Sequence, residues 1–123
     1  MLISGKITLP VIDLHQSVSF YTRVLGLRLI EQKGNYWAAV SDGGLRITLE
    51  RQFYREPQET KKTQSLSLGI AVFHLDPVLA RIKETGTVIT GMHETGDGRI
   101  LTLSDPDGNK IFVREVGELK KKA

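Results

Sequence analysis

The chain has 123 residues, 40% of them hydrophobic and 25% charged, with a formal charge of +3 and no cysteine. That composition fits one ordinary globular domain able to bury a core without cross-links. It excludes disulfides, thiolate zinc sites and a cysteine nucleophile, and no apolar run approaches the roughly 20 residues that span a bilayer.

The N-terminus, "MLISGKITLP", lacks the long apolar core of a signal peptide, so a cytoplasmic protein is expected. Residues 6–12, "KITLPVI", are β-prone and end at Asp13, a good N-cap. "DLHQSVSFYTRVLGL" then carries Leu14, Val18, Tyr21 and Leu25 at helical spacing, with Gly26 as its stop. Three strands are expected next, in "LRLIEQ", "YWAAVSD" and "LRITLE", separated by hairpin signals at Lys33–Asn35 and Asp42–Gly44. A polar connector covers residues 52–64.

The same order then returns. "LSLGIAVF" reads as a strand, and "HLDPVLARIKETG" as a helix with Leu75, Val78, Leu79 and Ile82 on one face, Pro77 in its first turn and Gly86 as its stop. "TVITGMHE", "RILTLSD" and "KIFVRE" follow as strands, joined by "TGDG" and "DPDGN" turns. Asp13-Leu14 and His74-Leu75 lie 61 residues apart, so each half is β-α-β-β-β. The predicted class is α+β: two βαβββ modules, at about 4–51 and 65–116, form a curved mixed sheet. Its uncovered face is an open cup. A basic tail occupies 117–123. Neither Lys61-Lys62 nor the tail is interleaved with aromatics as a nucleic-acid surface would be, so nucleic acid is not expected as a partner.

In "KIFVRE", Ile111, Phe112 and Val113 are apolar in succession. Alternation sends Ile111 and Val113 one way and Phe112 the other. With Phe112 turned into the cup, the expected lining is Lys6, Thr8, Arg46, Thr48, Ser67, Phe112 and Arg114, joined by Tyr36 or Trp37. Aromatic area plus guanidinium suits a small ring-bearing acid. The competing reading pairs Arg46 and Arg114 with Glu50 and Glu115 on the sheet surface.

"VIDLHQSVSFYTRVLGL" and "SDPDGNKIFV" together resemble the vicinal oxygen chelate superfamily, the group of glyoxalase, bleomycin-resistance proteins and extradiol dioxygenases. The first matches the family's D-L-x-x-S-x-x-F-Y-x-x-V-L-G pattern through Asp13, Leu14, Ser17, Phe20, Tyr21, Val24, Leu25 and Gly26. The resemblance implies the fold, a homodimer, and in many members a divalent metal held by His and Glu from four strands. Here the corresponding positions hold Lys6, Thr48 or Glu50, Ser67 and Phe112. A protonated Lys and a Phe cannot ligate, Ser is a poor ligand, and one carboxylate does not hold a catalytic metal. No metal or other cofactor is therefore expected.

His15 and His74 sit at the helix starts, away from the cup, with His74 a possible cap; His93 lies on a strand near the rim. Ser67 has neither a neighbouring base nor a nucleophile elbow. The expected function is metal-free binding or sequestration of a small aromatic or amphipathic ligand. The alternative is a glyoxalase-like lyase or dioxygenase with non-standard ligands, for which Glu50 and His93 are the weak catalytic candidates.

Overall fold

The computed structural model describes residues 5–52 and 66–117. The connector, bar Gln52, and the basic tail, bar Gly117, lie outside the described residues. The chain divides into two compact units, Met1–Gln64 and Ser65–Ala123. The first contains β1 (Ile7–Val11), α1 (Leu14–Ser19) continued by a π-helical turn (Phe20–Val24), β2 (Arg28–Lys33), β3 (Trp37–Ser41) and β4 (Arg46–Arg51). The second contains β5 (Ser67–Val72), α2 (Asp76–Thr85), β6 (Ile89–Thr95), β7 (Gly98–Ser104) and β8 (Lys110–Glu115). The α+β class and the repeated β-α-β-β-β order are as expected. The strands form two four-stranded mixed sheets, ordered β1-β4-β3-β2 and β5-β8-β7-β6.

In the first unit β1 runs parallel to β4, and β3 is antiparallel to both β4 and β2. Helix α1 lies against β3 and β4, over Leu9, Val11, Ile47, Leu49, Ala38 and Val40, all buried. The Asp13 carboxylate accepts the Gln16 N–H at 3.0 Å, closing the N-cap. The buried helical face is Leu14, Ser17, Phe20, Tyr21 and Val24, whereas Val18 and Leu25 are only half-buried. The buried stripe therefore runs through Ser17 and Val24 where Val18 and Leu25 were expected. In the π-turn the Leu25 N–H reaches back to the Phe20 carbonyl. Phe20 and Tyr21 thereby bury side by side, edge to face at 5.1 Å.

In the second unit β5 runs parallel to β8, and β7 is antiparallel to both β8 and β6. The buried face is Leu68, Leu101, Leu103, Ile111 and Val113, and α2 buries Leu75, Val78 and Ile82. Gly86 ends α2 in the left-handed region, φ 71°. At the start of α2 the Leu75 N–H donates to Glu115 Oε2 at 2.8 Å, so a carboxylate from β8 holds this end of the helix. Glu115 also accepts from Arg99 Nε at 3.0 Å, and Arg99 Nη2 donates to Asp76 Oδ1 at 3.1 Å. These bonds tie the start of α2 to the sheet. The guanidinium first, and the Leu75 N–H second, hold the Glu115 carboxyl at about 2, well below the usual 4.5.

The "DPDGN" turn is a hydrogen-bonded box. Buried Asp105 accepts from the Asp107 and Asn109 backbone N–H groups at 2.9 and 2.8 Å, and from Asn109 Nδ2 at 2.9 Å. Asn109 Oδ1 in turn accepts the Leu66 N–H at 3.0 Å, anchoring the entry to β5. Gly98, at φ 141°, has no alternative: a Cβ there would collide with the Glu115 carbonyl. Among the described residues no helix is long and apolar enough to cross a membrane.

Candidate functional site

Each sheet has one face turned away from its helix, and pairing register fixes which side chains occupy it. On the second unit, Ile111 and Val113 are 0% and 1% exposed while Phe112 is 37% exposed, so Phe112 lies on the open face. Lys110 and Arg114 share that phase on β8. Opposite them on β5 stand Ser67, Gly69 and Ala71. On β7 the partners are Ser104, Thr102 and Ile100, and on β6 Gly91 and His93 extend the last two rows. One row reads Gly69, Phe112, Thr102, Gly91; the next reads Ala71, Arg114, Ile100, His93. Arg114 and His93 are two strands apart, about 10 Å at the usual spacing.

No strand residue on this open face is acidic: Glu94 and Glu115 both point to the helix side, in phase with Arg99 and Val113. The suggested pairing of Arg114 with Glu115 is excluded. Glu115 is engaged by Arg99 on the opposite face. Among the described residues Arg114 has no ion-pair partner. Lys110, Phe112 and Arg114 thus present an exposed ring between two cations, with His93 beyond.

The face of the first sheet away from α1 differs in charge, and it is not wholly exposed, since Ala39 and Thr48 on it are buried. Register aligns Pro10, Glu50, Trp37 and Lys33 in one row and Thr8, Thr48, Ala39 and Glu31 in the next. Arg46, Ser41 and Arg28 form a third, and Lys6 precedes β1 in phase with Thr8. Of the two aromatics proposed for this lining, the register selects Trp37. Tyr36 lies in the exposed turn just before β3, outside the strand register. Arg46 and Glu50 share the face but stand four residues apart on one extended strand, about 13 Å, too far to pair. Here cations and carboxylates mix.

Thr8 pairs with Thr48, and Gly69, 61 residues after Thr8, pairs with Phe112. Thr48 therefore occupies in the first unit the register position of Phe112 in the second, and Glu50 that of Arg114. The positions that the family resemblance assigns to metal ligands are, by this register, Lys6 and Thr48 in the first unit, with the alternative Glu50 one row further on, and Ser67 and Phe112 in the second. Those residues do not fit a divalent cation: an ammonium, two hydroxyls and a benzene ring offer no anionic or imidazole donor, and Glu50 would add only one carboxylate. Among the described residues no three His, Cys, Asp or Glu side chains gather elsewhere in a ligating arrangement. His93 and Glu50 stand on strands of different units, and His15 is exposed beside the Asp13 cap.

Comparison with known proteins now bears on the fold and these positions. The profile of the Glyoxalase/Bleomycin resistance protein/Dioxygenase superfamily matches residues 4–113. The chain belongs to that superfamily. Within it, the chain is 32% identical over 118 residues to the glutathione transferase FosA of Serratia marcescens, covering 94% of this chain and 81% of that one. A glyoxalase/dioxygenase from Nostoc punctiforme superposes with TM-score 0.73 at 25% identity, over 92% of this chain and 90% of the other. TnmS3, an antibiotic binding protein from Streptomyces sp. CB03234, superposes with TM-score 0.64 at 27% identity, over 95% and 99%. Superfamily membership accounts for the repeated module. The chemistry of this chain rests on its own side chains.

Lys110, Ile100 and Thr102 were missing from the lining expected from sequence. Lys110 was within reach of the same alternation that placed Phe112, since it lies two residues earlier on β8. Ile100 and Thr102 needed the β7–β8 register, which depends on the length of the "DPDGN" turn.

Proposed function

We propose that this chain is a metal-free small-molecule-binding protein whose ligand is a small aromatic or amphipathic acid. The observation that carries the reading is the acid-free open face of the second unit, with exposed Phe112 between Lys110 and Arg114. A ring lying on Phe112 removes apolar area from water, and a carboxylate reaching Arg114 gains a charge-assisted, two-pronged hydrogen bond. Similarity to an antibiotic binding protein supports small-molecule binding as a role this fold can serve. We place the protein in the cytoplasm, and we read it as a homodimer because β2 and β6 end their sheets as edge strands with mostly exposed residues. Such edges invite a second chain or a covering partner. Light scattering at micromolar concentration should give twice 13.7 kDa; a monomer mass would remove the dimer.

The direct test is calorimetric titration of chelator-treated protein with 2-naphthoate and with neutral 2-naphthamide. Saturable binding of the acid, and weaker binding of the amide, is expected. Equal binding of both would contradict the role given to Arg114.

A second reading, an enzyme, is favoured by the similarity to a protein called a glutathione transferase. Incubation with glutathione and an electrophile such as 1-chloro-2,4-dinitrobenzene tests it. Conjugate formation above the uncatalysed rate, lost on His93→Ala or Glu50→Ala, would replace the binding reading with an enzymatic one.

A further inference from the structure

Glycine in the middle of a strand weakens it and calls for a reason. Gly69 is the central residue of the open-face phase of β5, directly opposite Phe112. Its backbone is not in the positive-φ region that only glycine tolerates, and a Cβ built there meets nothing within 4 Å. The β5–β8 pairing is in register throughout, with no bulge to explain it. Gly91, at the other end of the same row, differs: it adjoins a bulge, and a Cβ there would touch Thr102 at 3.7 Å. Neither conformation nor packing within the chain requires glycine at 69.

We propose that Gly69 is the specificity-determining residue of the binding face, leaving beside Phe112 the space in which the ligand's aromatic ring lies. This rests on the aromatic-acid reading above and deepens it. The ring sits over the bare backbone of Gly69, edge or face against Phe112. Its acidic group reaches along the strands to Arg114, one open-face position away, about 7 Å. The charge of the face matches this occupant, since Lys110 and Arg114 flank the ring and no open-face strand residue is acidic. Gly69 thereby sets how wide a ring the face accepts. A side chain at 69 would occupy the ring's place without disturbing the fold.

The experiment titrates wild type, Gly69→Ala and Gly69→Val with 2-naphthoate and with benzoate by calorimetry, alongside thermal unfolding and mass by light scattering. Gly69→Val should weaken 2-naphthoate by about tenfold or more, the scale of forcing atoms into occupied space. Gly69→Ala should weaken it less, and benzoate should lose less than 2-naphthoate in both variants. The unfolding midpoint should stay or rise, because an extended, uncrowded site accepts a β-branched side chain. If wild type binds and Phe112→Ala loses binding but Gly69→Val and Gly69→Ala bind like wild type, this inference fails while the binding reading stands. A change of mass in Gly69→Val would assign the glycine to contact between copies and overturn the inference. No binding of either acid by wild type would overturn both.

Discussion

Phe112→Ala separates a binding residue from a core residue on one strand. Phe112 is 37% exposed, whereas Ile111 and Val113 beside it are buried. A phenylalanine offers roughly 200 Å² to burial. A ligand covering its exposed part therefore removes about 75 Å² from water, worth about 2 kcal/mol at 25 cal/mol per Å². Phe112→Ala should weaken 2-naphthoate by up to about 30-fold. Folding should respond in the opposite order. Ile111→Ala deletes fully buried atoms and should cost about 2–5 kcal/mol; Phe112→Ala should cost distinctly less. Calorimetric titration gives the affinity, and urea unfolding of both variants gives the stability. Unchanged affinity in Phe112→Ala, with a stability loss as large as that of Ile111→Ala, would refute the assignment of Phe112 to the ligand.

Arg114→Ala should reduce the preference for 2-naphthoate over 2-naphthamide toward unity, as read by the same titration, because only the acid uses the guanidinium fork. Asp105→Ala should lower unfolding free energy by about 2–4 kcal/mol, since a buried acceptor of three hydrogen bonds is lost and backbone donors are left unpaired. Glu115 has a folded-state value near 2, below its usual 4.5, so the stability it contributes is whole above pH 4.5 and lost as pH falls toward 2. The gap in thermal midpoint between wild type and Glu115→Gln should accordingly shrink across that window. A gap that stays constant down to pH 2 would show that the Arg99 pairing does not govern it.

Local signals carried much of this fold. Asp13 and Gly26 bound the first helical stretch, Pro77 and Gly86 the second, because caps and breakers act within a turn of where they stand. The 61-residue offset made the second module legible from the first. What stayed hidden depends on distant partners. The start of α2 is held by Glu115, which is 40 residues from Leu75 in sequence, so no local signal announces it. The π-turn at Phe20–Val24 buries Phe20 and Tyr21 together, and a uniform helical period cannot express that widening. On β8, alternation from Phe112 placed Arg114, whereas Ser67 on β5 came from the family's spacing before the helix start. Placing Trp37 needed its pairing with Glu50. Gly69 drew no notice in the sequence, because its meaning depends on empty space above a regular strand.

Binding without a metal is most directly tested by one pair of titrations: 2-naphthoate into chelator-dialysed protein, and into the same protein reloaded with Mn²⁺ or Zn²⁺. With Lys6, Thr48 or Glu50, Ser67 and Phe112 at the positions that the family resemblance assigns to metal ligands, the two curves should superimpose, and elemental analysis after dialysis against metal should find no stoichiometric ion. Binding that appears only after reloading, with about one metal per chain, would contradict it.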